Sequence, residues 1–427
     1  MELTAMIEWS ESDIAIRDAV RAFIDKEIRP HLDELESGQL PPYDLVRKFF
    51  AAFGLDAMAK EAVNKQLDRA RERERSGEQS AAKPAREDDS GKRKPLVAEG
   101  MDSMAAIIVA ELAGVTLGTV ASVGVSLGLG VTTIASKGTL AQKERWLPKL
   151  ATFEQVAAWA ITEPDAGSDA FGGMRTSVRR DGDDYILNGQ KTFITNGPFA
   201  DVIVVYAKLD EQDGTPIRDR KVLTFVLDAG MEGLTQGAPF KKMGMMSSPT
   251  GELFFDNVRL SRDRLLGETE DTGSGDGRDS ARSSFVLERV GVAILSLGII
   301  NQCHRLCLDY ARERKLWGQP IADFQLIQLK LAKMELARLN VQNMVFSAIE
   351  HLRAGRTPTL AEASVMKWYS SEAATDVAMD AVQLFGGNGY MAEYRVEQLA
   401  RDAKSLMIYA GSNEVQITHV AKGLLRG

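Results

Sequence analysis

Between Trp159 and Leu260 the chain abandons the helical spacing of apolar residues that it keeps on either side. Short runs of branched and aromatic residues recur there: Tyr185-Ile186-Leu187, Val202-Ile203-Val204-Val205-Tyr206, Val222-Leu223-Thr224-Phe225-Val226-Leu227 and Leu253-Phe254-Phe255. Asp181-Gly182-Asp183 and Asn188-Gly189 read as turns between them, which predicts a compact, mainly antiparallel β unit. Helix, then sheet, then helix is an α+β layout. A chain of 427 residues exceeds one ordinary core, so three domains are expected: an all-α unit at 1–157, a β unit at 158–280 and an all-α unit at 281–427.

In the first unit, Ile14, Val20, Ile24 and Ile28 predict a helix over 11–35 with Pro30 near its end, and a second helix runs from Pro41-Pro42 to Gly54. About 60–99 the pattern breaks. Asp68-Arg69-Ala70-Arg71-Glu72-Arg73-Glu74-Arg75 suits an exposed, salt-bridged helix, and Ser76 to Lys94 reads as a charged surface insertion. From Leu112 to Ser136 there is no charge at all, a length that spans a bilayer. Gly114, Gly118, Gly124, Gly128 and Gly130, with several Ser and Thr, favour instead a buried helix pair and no membrane span.

Net charge is −8 without a Lys/Arg-rich domain, which argues against a nucleic-acid partner. Cys303 and Cys307, four apart on a helix, fit disulfide geometry poorly and read as buried free thiols. His31, His304, His351 and His419 fall in no metal or triad spacing. Met1 to Asp13 lacks the apolar core of a signal peptide. A reducing, cytoplasmic compartment fits these features.

Phe285 to Ala293 opens a long apolar helix in which Leu287, Val290, Ile294, Leu297 and Ile300 recur at helical spacing. Glu288 sits beside that apolar face, where lost solvation raises a carboxyl's pKa and strengthens it as a base. The plainer reading is a helix start, which acidic residues also suit.

Thr162-Glu163-Pro164-Asp165-Ala166-Gly167-Ser168-Asp169 stands where the helical half meets the β unit. Its small residues can bring N–H and O–H groups close to a ligand. Beyond it come Asn188-Gly189-Gln190-Lys191-Thr192-Phe193-Ile194-Thr195-Asn196-Gly197-Pro198, Arg312-Glu313-Arg314-Lys315-Leu316-Trp317-Gly318, Phe324-Gln325 and Gln383-Leu384-Phe385-Gly386-Gly387-Asn388-Gly389-Tyr390. The series ends with Arg401-Asp402-Ala403-Lys404 and Ile408-Tyr409-Ala410-Gly411-Ser412-Asn413-Glu414-Val415. In this order and spacing the segments resemble the acyl-CoA dehydrogenase family, from about Leu140 to the C-terminus. Before that the likeness is only helical character. The family's Pro-Glu-Glu-Tyr-Gly-Gly-like loop is replaced by the charged insertion.

The resemblance implies an N-terminal helical domain, a middle β-barrel or sandwich and a C-terminal four-helix bundle, with FAD as cofactor. It implies that Thr162 bonds the flavin ring beside Trp159 and Ile161, and that Phe193 and Thr195 lie against the flavin. Phe193 stands where the family commonly has Trp, keeping the stacking and losing the indole N–H. Arg314 would pair with the pyrophosphate, as a guanidinium fork suits, assisted by Trp317 and Gln325. Gln383, Phe385, Gly386 and Gly387 would reach the FAD of a neighbouring subunit, typically in a homotetramer, and Ser412 with Glu414 would complete the cofactor site. Ser168 would touch the CoA, with Arg289, Ala410 and Gly411 near the substrate.

Many members of the family carry their base as Glu where this chain has Ala410. A subgroup including isovaleryl-CoA and long-chain acyl-CoA dehydrogenases keeps it on the earlier helix in a Leu-Glu-Arg or Gln-Glu-Arg sequence. Here Leu287-Glu288-Arg289 and Ala410-Gly411 agree with that subgroup. Two positions depart: Val286 replaces an Asp of isovaleryl-type sequences, and Met246 a frequent basic residue. The implied reaction is α,β-dehydrogenation of an acyl-CoA thioester to a trans-2-enoyl-CoA. Glu288 takes the α-proton, the β-hydrogen leaves as hydride to flavin N5, and an electron-transferring flavoprotein accepts the electrons. The expected substrate is branched or longer, and the pathway fatty-acid or branched-chain amino-acid breakdown. A non-catalytic flavin- or CoA-binding relative and an oxygen-using oxidase are the alternatives.

Overall fold

The computed structural model of the protein describes residues 9–76, 103–271 and 277–426, with side chains left aside at 279–283 and 426. Helix α1 (Glu11–Phe23) starts at Ser10, whose hydroxyl accepts from Asp13 N while Asp13 accepts from the Ser10 backbone. The expected single helix over 11–35 is in fact bent. Pro30 has no N–H to offer the preceding turn, and the chain passes through a π turn (Ile24–Ile28) and a 3-10 turn (Arg29–His31) into α2 (Leu32–Glu36). Helix α3 (Tyr43–Phe53) stops at Gly54, whose φ of 66° is left-handed. Helix α4 (Leu55–Arg75) buries only Val63 and Leu67, and its Arg71 joins Asp68 to Glu144, the exposed helix the charge pattern predicts. Most of the proposed surface insertion, 77–94, lies outside the described residues.

The uncharged run covers the end of α5 (Ser103–Ala113) and one continuous helix, Leu117–Lys137, formed by α6 (Leu117–Val123), a π segment (Gly124–Val131) and α7 (Thr132–Lys137). Two helices, Leu117–Lys137 and Ser284–Glu313, are long and apolar enough to cross a membrane, and each has 56% of its apolar window buried within the protein. Close approach accounts for Gly114, Gly118 and Gly130, though not for Gly124 or Gly128, where an added Cβ would meet nothing within 4 Å. A Cβ on Gly118 would fall 2.5 Å from Ser247 Oγ, and one on Gly298 would fall 2.2 Å from the Ala110 carbonyl. Helix α8 (Leu140–Ala151), capped by Thr139 with Gln142, leads into the sheet.

The strands are β1 (Ala157–Ala160), β2 (Ser177–Asp181), β3 (Asp184–Thr195), β4 (Val202–Leu209), β5 (Val222–Asp228), β6 (Leu234–Gln236) and β7 (Thr250–Leu260). β4 pairs antiparallel with β5 on one edge and parallel with β1 and then β2 on the other. β2, β3, β7 and β6 continue antiparallel. Asn188-Gly189 is no turn: β3 runs straight through it as a bulge against β7. Gly189 has a φ of 146°, and a Cβ there would strike Thr176. A second bulge between Lys191 and Ile194 sets Phe193 at a φ of 57°.

The C-terminal unit comprises α9 (Gly277–Glu313), a two-strand hairpin of β8 (Lys315–Leu316) and β9 (Gln319–Pro320), α10 (Gln325–Arg353), α11 (Leu360–Phe385), α12 (Val396–Leu406) and α13 (Asn413–Arg426). The loop expected over 267–284 therefore ends sooner, because α9 begins at Gly277. Helix α9 packs on α5, α10 and α11. Val290, Val292, Ala293, Ile294, Leu297, Ile299 and Ile300 are all buried, so it is buried nearly all round rather than on one stripe. Cys303 and Cys307 are buried free thiols.

The helical units also meet through acid groups. Glu36 at the end of α2 has both carboxylate oxygens out of solvent and without a hydrogen-bond partner among the described residues. Burial, then the charge of Asp402, pushes Glu36 up to about 8 against Arg401 and Arg395. Burial also pushes Asp402 up to about 6, against the Met245 N–H and Arg401. The folded protein thus holds protons between the ordinary carboxyl range and pH 8 that the unfolded chain releases, and stability falls as pH rises through that window. Glu36→Gln is expected to raise the urea midpoint at pH 8 and leave it near wild type at pH 4. An equal gain at both pH values would show that the acid is not the cause.

Candidate active site

Glu288 lies in the first half of α9, half-buried, between groups from three elements. Burial pushes its carboxyl up to about 7, against the pull of Arg289 and Lys367. Arg289 is only 3% exposed. Its Nη1 donates to Ser364 Oγ at 3.2 Å on α11, and its Nε has no acceptor. The guanidinium expected near substrate is therefore turned into the helix contact. Lys367, one turn along α11 from Ser364, is fully buried and donates to Asn413 Oδ1 at 2.8 Å. Burial followed by the Glu288 charge pushes the Tyr409 phenol up, against the pull of Ser405.

After α12, Ala410 and Gly411 both take left-handed backbone, with φ of 56° and 81°. Gln416 Nε2 donates to both of their carbonyls, at 3.1 and 2.7 Å. A Cβ on Gly411 would fall 2.7 Å from that amide nitrogen and 3.7 Å from Arg289 Nη2. This clamp costs about 1 kcal/mol of backbone strain at Ala410 and fixes a turn whose side chain is a single methyl. Ser412 and Glu414 follow at the start of α13, and a hydrogen bond from Ser412 holds the exposed Glu414 carboxyl below its usual range.

The β unit supplies a second wall. Trp159 on β1 packs edge-on to Tyr206 at 5.2 Å and to Phe285 at 6.4 Å, and Phe285 is one helical turn before Glu288. The Trp159 indole N–H is buried without an acceptor among the described residues. Thr162 is half-buried, and its carbonyl accepts from Thr192 N at 2.9 Å. Ile161 puts its side chain in the core and its carbonyl on the buried Lys191 Nζ at 3.0 Å, so it lies behind the wall rather than on its surface. Phe193, 68% exposed, stands beside Phe240 at 5.9 Å, with Thr195 half-buried next along the strand. Ser168 is exposed on the loop ahead of Gly172. An orphaned indole donor and an aromatic ring held outward fit a planar, hydrogen-bonding cofactor such as a flavin.

The structure does not bring the other expected residues here. Arg314 follows the far end of α9, roughly 40 Å from Glu288 on a helix rising about 1.5 Å per residue. Trp317, 84% exposed at a φ of 50°, and exposed Gln325 share that end. So do Gln383, Gly386 and Gly387, all exposed. Phe385 lies at that end as well, its ring buried and stacked on Tyr310 at 4.0 Å. Lys367, Tyr409, Gln416 and the Glu163–Lys191 pair are the groups the sequence reading left without a role. Only the spacing Ser364-Lys367-Ser371 on an otherwise apolar helix face signals the first.

The chain matches the family descriptions of the acyl-CoA dehydrogenase N-terminal domain over 95–154, middle domain over 158–258 and C-terminal domain over 275–425. It is 32% identical to an acyl-CoA dehydrogenase of Bacillus subtilis over 98% of this chain and 99% of that one. It is 34% identical to the caffeyl-CoA reductase-Etf complex subunit CarC of Acetobacterium woodii over 98% and 99%. The structure of an acyl-CoA dehydrogenase from Geobacillus kaustophilus superposes with a TM-score of 0.80 at 32% identity, covering 99% of this chain and all of the other. The likeness thus extends well ahead of Leu140.

Proposed function

This chain belongs to the acyl-CoA dehydrogenase family, and on that premise we propose that Glu288 is the base that takes the α-proton of a bound acyl-CoA. The observation that carries this reading is the carboxyl itself: half-buried beside the wall formed by Trp159 and Phe285, and held near neutrality. A base whose pKa lies near the working pH is ionised often enough to act and basic enough to accept.

FAD, the family's cofactor, supplies the acceptor for the β-hydrogen when bound. Trp159, Thr162, Phe193 and Thr195 would hold its ring from the β unit, with the indole and hydroxyl donors oriented toward it. Ser168 would steady the CoA portion. Arg314, Trp317, Gln325, Gln383, Gly386 and Gly387 would serve the cofactor of a second copy, since one chain separates them from Glu288 by the length of α9. That separation supports a homo-oligomer, read here as a homotetramer. An electron-transferring flavoprotein as acceptor is supported by the relative named as part of an Etf complex. The buried free thiols suit a reducing cytoplasm.

Ala410 leaves room that a carboxylate occupies in many relatives, which favours acyl groups bulkier than short straight chains, such as those of branched-chain or fatty-acid breakdown. The reverse reaction is a second reading. A carboxyl near pH 7 can also donate its proton, and one full-length relative is named a reductase. The test is anaerobic titration with butyryl-, isovaleryl-, palmitoyl- and 3-phenylpropionyl-CoA, followed by flavin absorbance. The photoreduced protein is mixed with the matching enoyl-CoAs in parallel. Bleaching by a branched, long or aryl substrate supports the dehydrogenase reading. Reoxidation without bleaching supports the reductase. Silence in both arms sinks the Glu288 assignment.

A further inference from the structure

Helix α11 turns Ser364, Lys367 and Ser371, all fully buried, toward the contact with α9 and α13. Ser364 Oγ takes the Arg289 guanidinium. Asn413 Oδ1, at the first residue of α13, accepts both Lys367 Nζ at 2.8 Å and Ser371 Oγ at 3.2 Å. Asn413 N in turn donates to the Met407 carbonyl at 3.1 Å, closing the Ile408–Ser412 segment that carries Ala410 and Gly411. An ammonium buried this way is expensive to desolvate, and a neutral amide oxygen compensates it poorly. The position asks for a reason beyond packing.

We propose that Lys367 is a positioning residue for the reaction: through Asn413 it fixes the Ala410–Gly411 turn, and its buried charge favours the ionised form of Glu288. The inference rests on the reading of Glu288 as that base. The titratable groups facing the carboxyl are Arg289 from its own helix, Lys367 from α11 and the neutral Tyr409 hydroxyl from the turn after α12. Lys367 is itself lowered to about 8, by burial and then by Arg289, against Glu288, Glu414 and Glu372. His419 on α13, lowered by burial and then by Arg289 and Lys422, adds no full charge at neutral pH. Asp402 acts on Tyr409 from the far side. Lys367 and Arg289 are therefore the two cations that favour the ionised base. Arg289 is already tied to Ser364, and Lys367 alone also holds the turn.

The test is the pH dependence of kcat/KM for flavin bleaching, which reports the free enzyme, in the purified full-length protein. Lys367→Met and the near-isosteric Asn413→Asp, which sets a counter-charge against the ammonium, are each expected to move the acid limb upward by about one unit. That is roughly tenfold slower bleaching at pH 6 with much smaller loss at pH 9. Lys367→Arg is expected to return the limb to its wild-type position. Ser371→Ala, a neutral change in the same cluster, leaves the limb where it is. Urea midpoints and FAD content identify a variant that merely fails to fold, in which case Asn413→Asp decides. A uniform loss of rate at all pH values, with the limb unmoved in the variants that fold, overturns the proposal. Glu288→Gln run alongside separates the two readings: if it still bleaches, the base assignment has failed rather than the role of Lys367.

Discussion

Glu288→Gln is expected to slow flavin bleaching by about 10²–10⁴-fold, the range that removal of a general base produces, while acyl-CoA still binds. Glutamine has the shape of the carboxylic acid and cannot accept the proton. The change also leaves the fold intact, because Glu288 is half-buried and its carboxylate stands in no hydrogen bond among the described residues that the amide would break. Stopped-flow absorbance at saturating acyl-CoA measures the loss, and the spectral shift on anaerobic binding shows that the complex forms. A variant within tenfold of wild type would mean that another group takes the proton. Ala410 cannot be that group. Tyr409, whose phenol is pushed up and stays protonated, is no candidate either.

Glu288 stood out as the candidate base because two sequence positions agree: a carboxylate at 288 and its absence at 410. The architecture was legible because the apolar period switches from helix to strand near Trp159 and back after Leu260, and a period reports which face is buried. Local signals misled where tertiary contact overrode them. Asn188-Gly189 has the composition of a tight turn, yet β7 pairs along the whole of β3 and converts it to a bulge. The start of α9 read as polar loop because 267–284 is rich in Gly, Ser, Arg and Asp. Arg314 and Glu288 both carry motif residues, but only the length of α9 shows that one chain cannot bring them to one cofactor. Lys367 stayed hidden because a lysine among alanines and serines looks like a solvated helix position, and only packing reveals that it is buried.

Lys191→Met is expected to lower stability by about 3–5 kcal/mol, the cost of leaving one member of a buried ion pair alone. Lys191 is 0% and Glu163 5% exposed, and the Nζ–Oε1 distance is 2.9 Å. The same ammonium bonds the Ile161 carbonyl, while Glu163 also accepts from Arg175 N at 2.6 Å and Thr176 N at 3.0 Å. Burial alone would raise the Glu163 carboxyl, but the Lys191 charge and these donors hold it below its usual range. Burial lowers Lys191 to about 8 against the opposing charge. Methionine fills the space and removes the charge, so Glu163 must either protonate or sit unpaired. The pair also clasps the segment carrying Thr162, adjacent to Glu163, to the strand carrying Phe193, two residues beyond Lys191, and Thr192 N joins them again by donating to the Thr162 carbonyl at 2.9 Å. Loss of FAD, read as the ratio of flavin to protein absorbance, is therefore expected together with the fall in urea midpoint. The double variant Lys191→Met with Glu163→Gln should recover part of the stability, since no buried charge is then left unpaired, without recovering full FAD occupancy. If Lys191→Met stays within 1 kcal/mol of wild type and keeps its flavin, the pair is not what holds the β-unit wall of the site together.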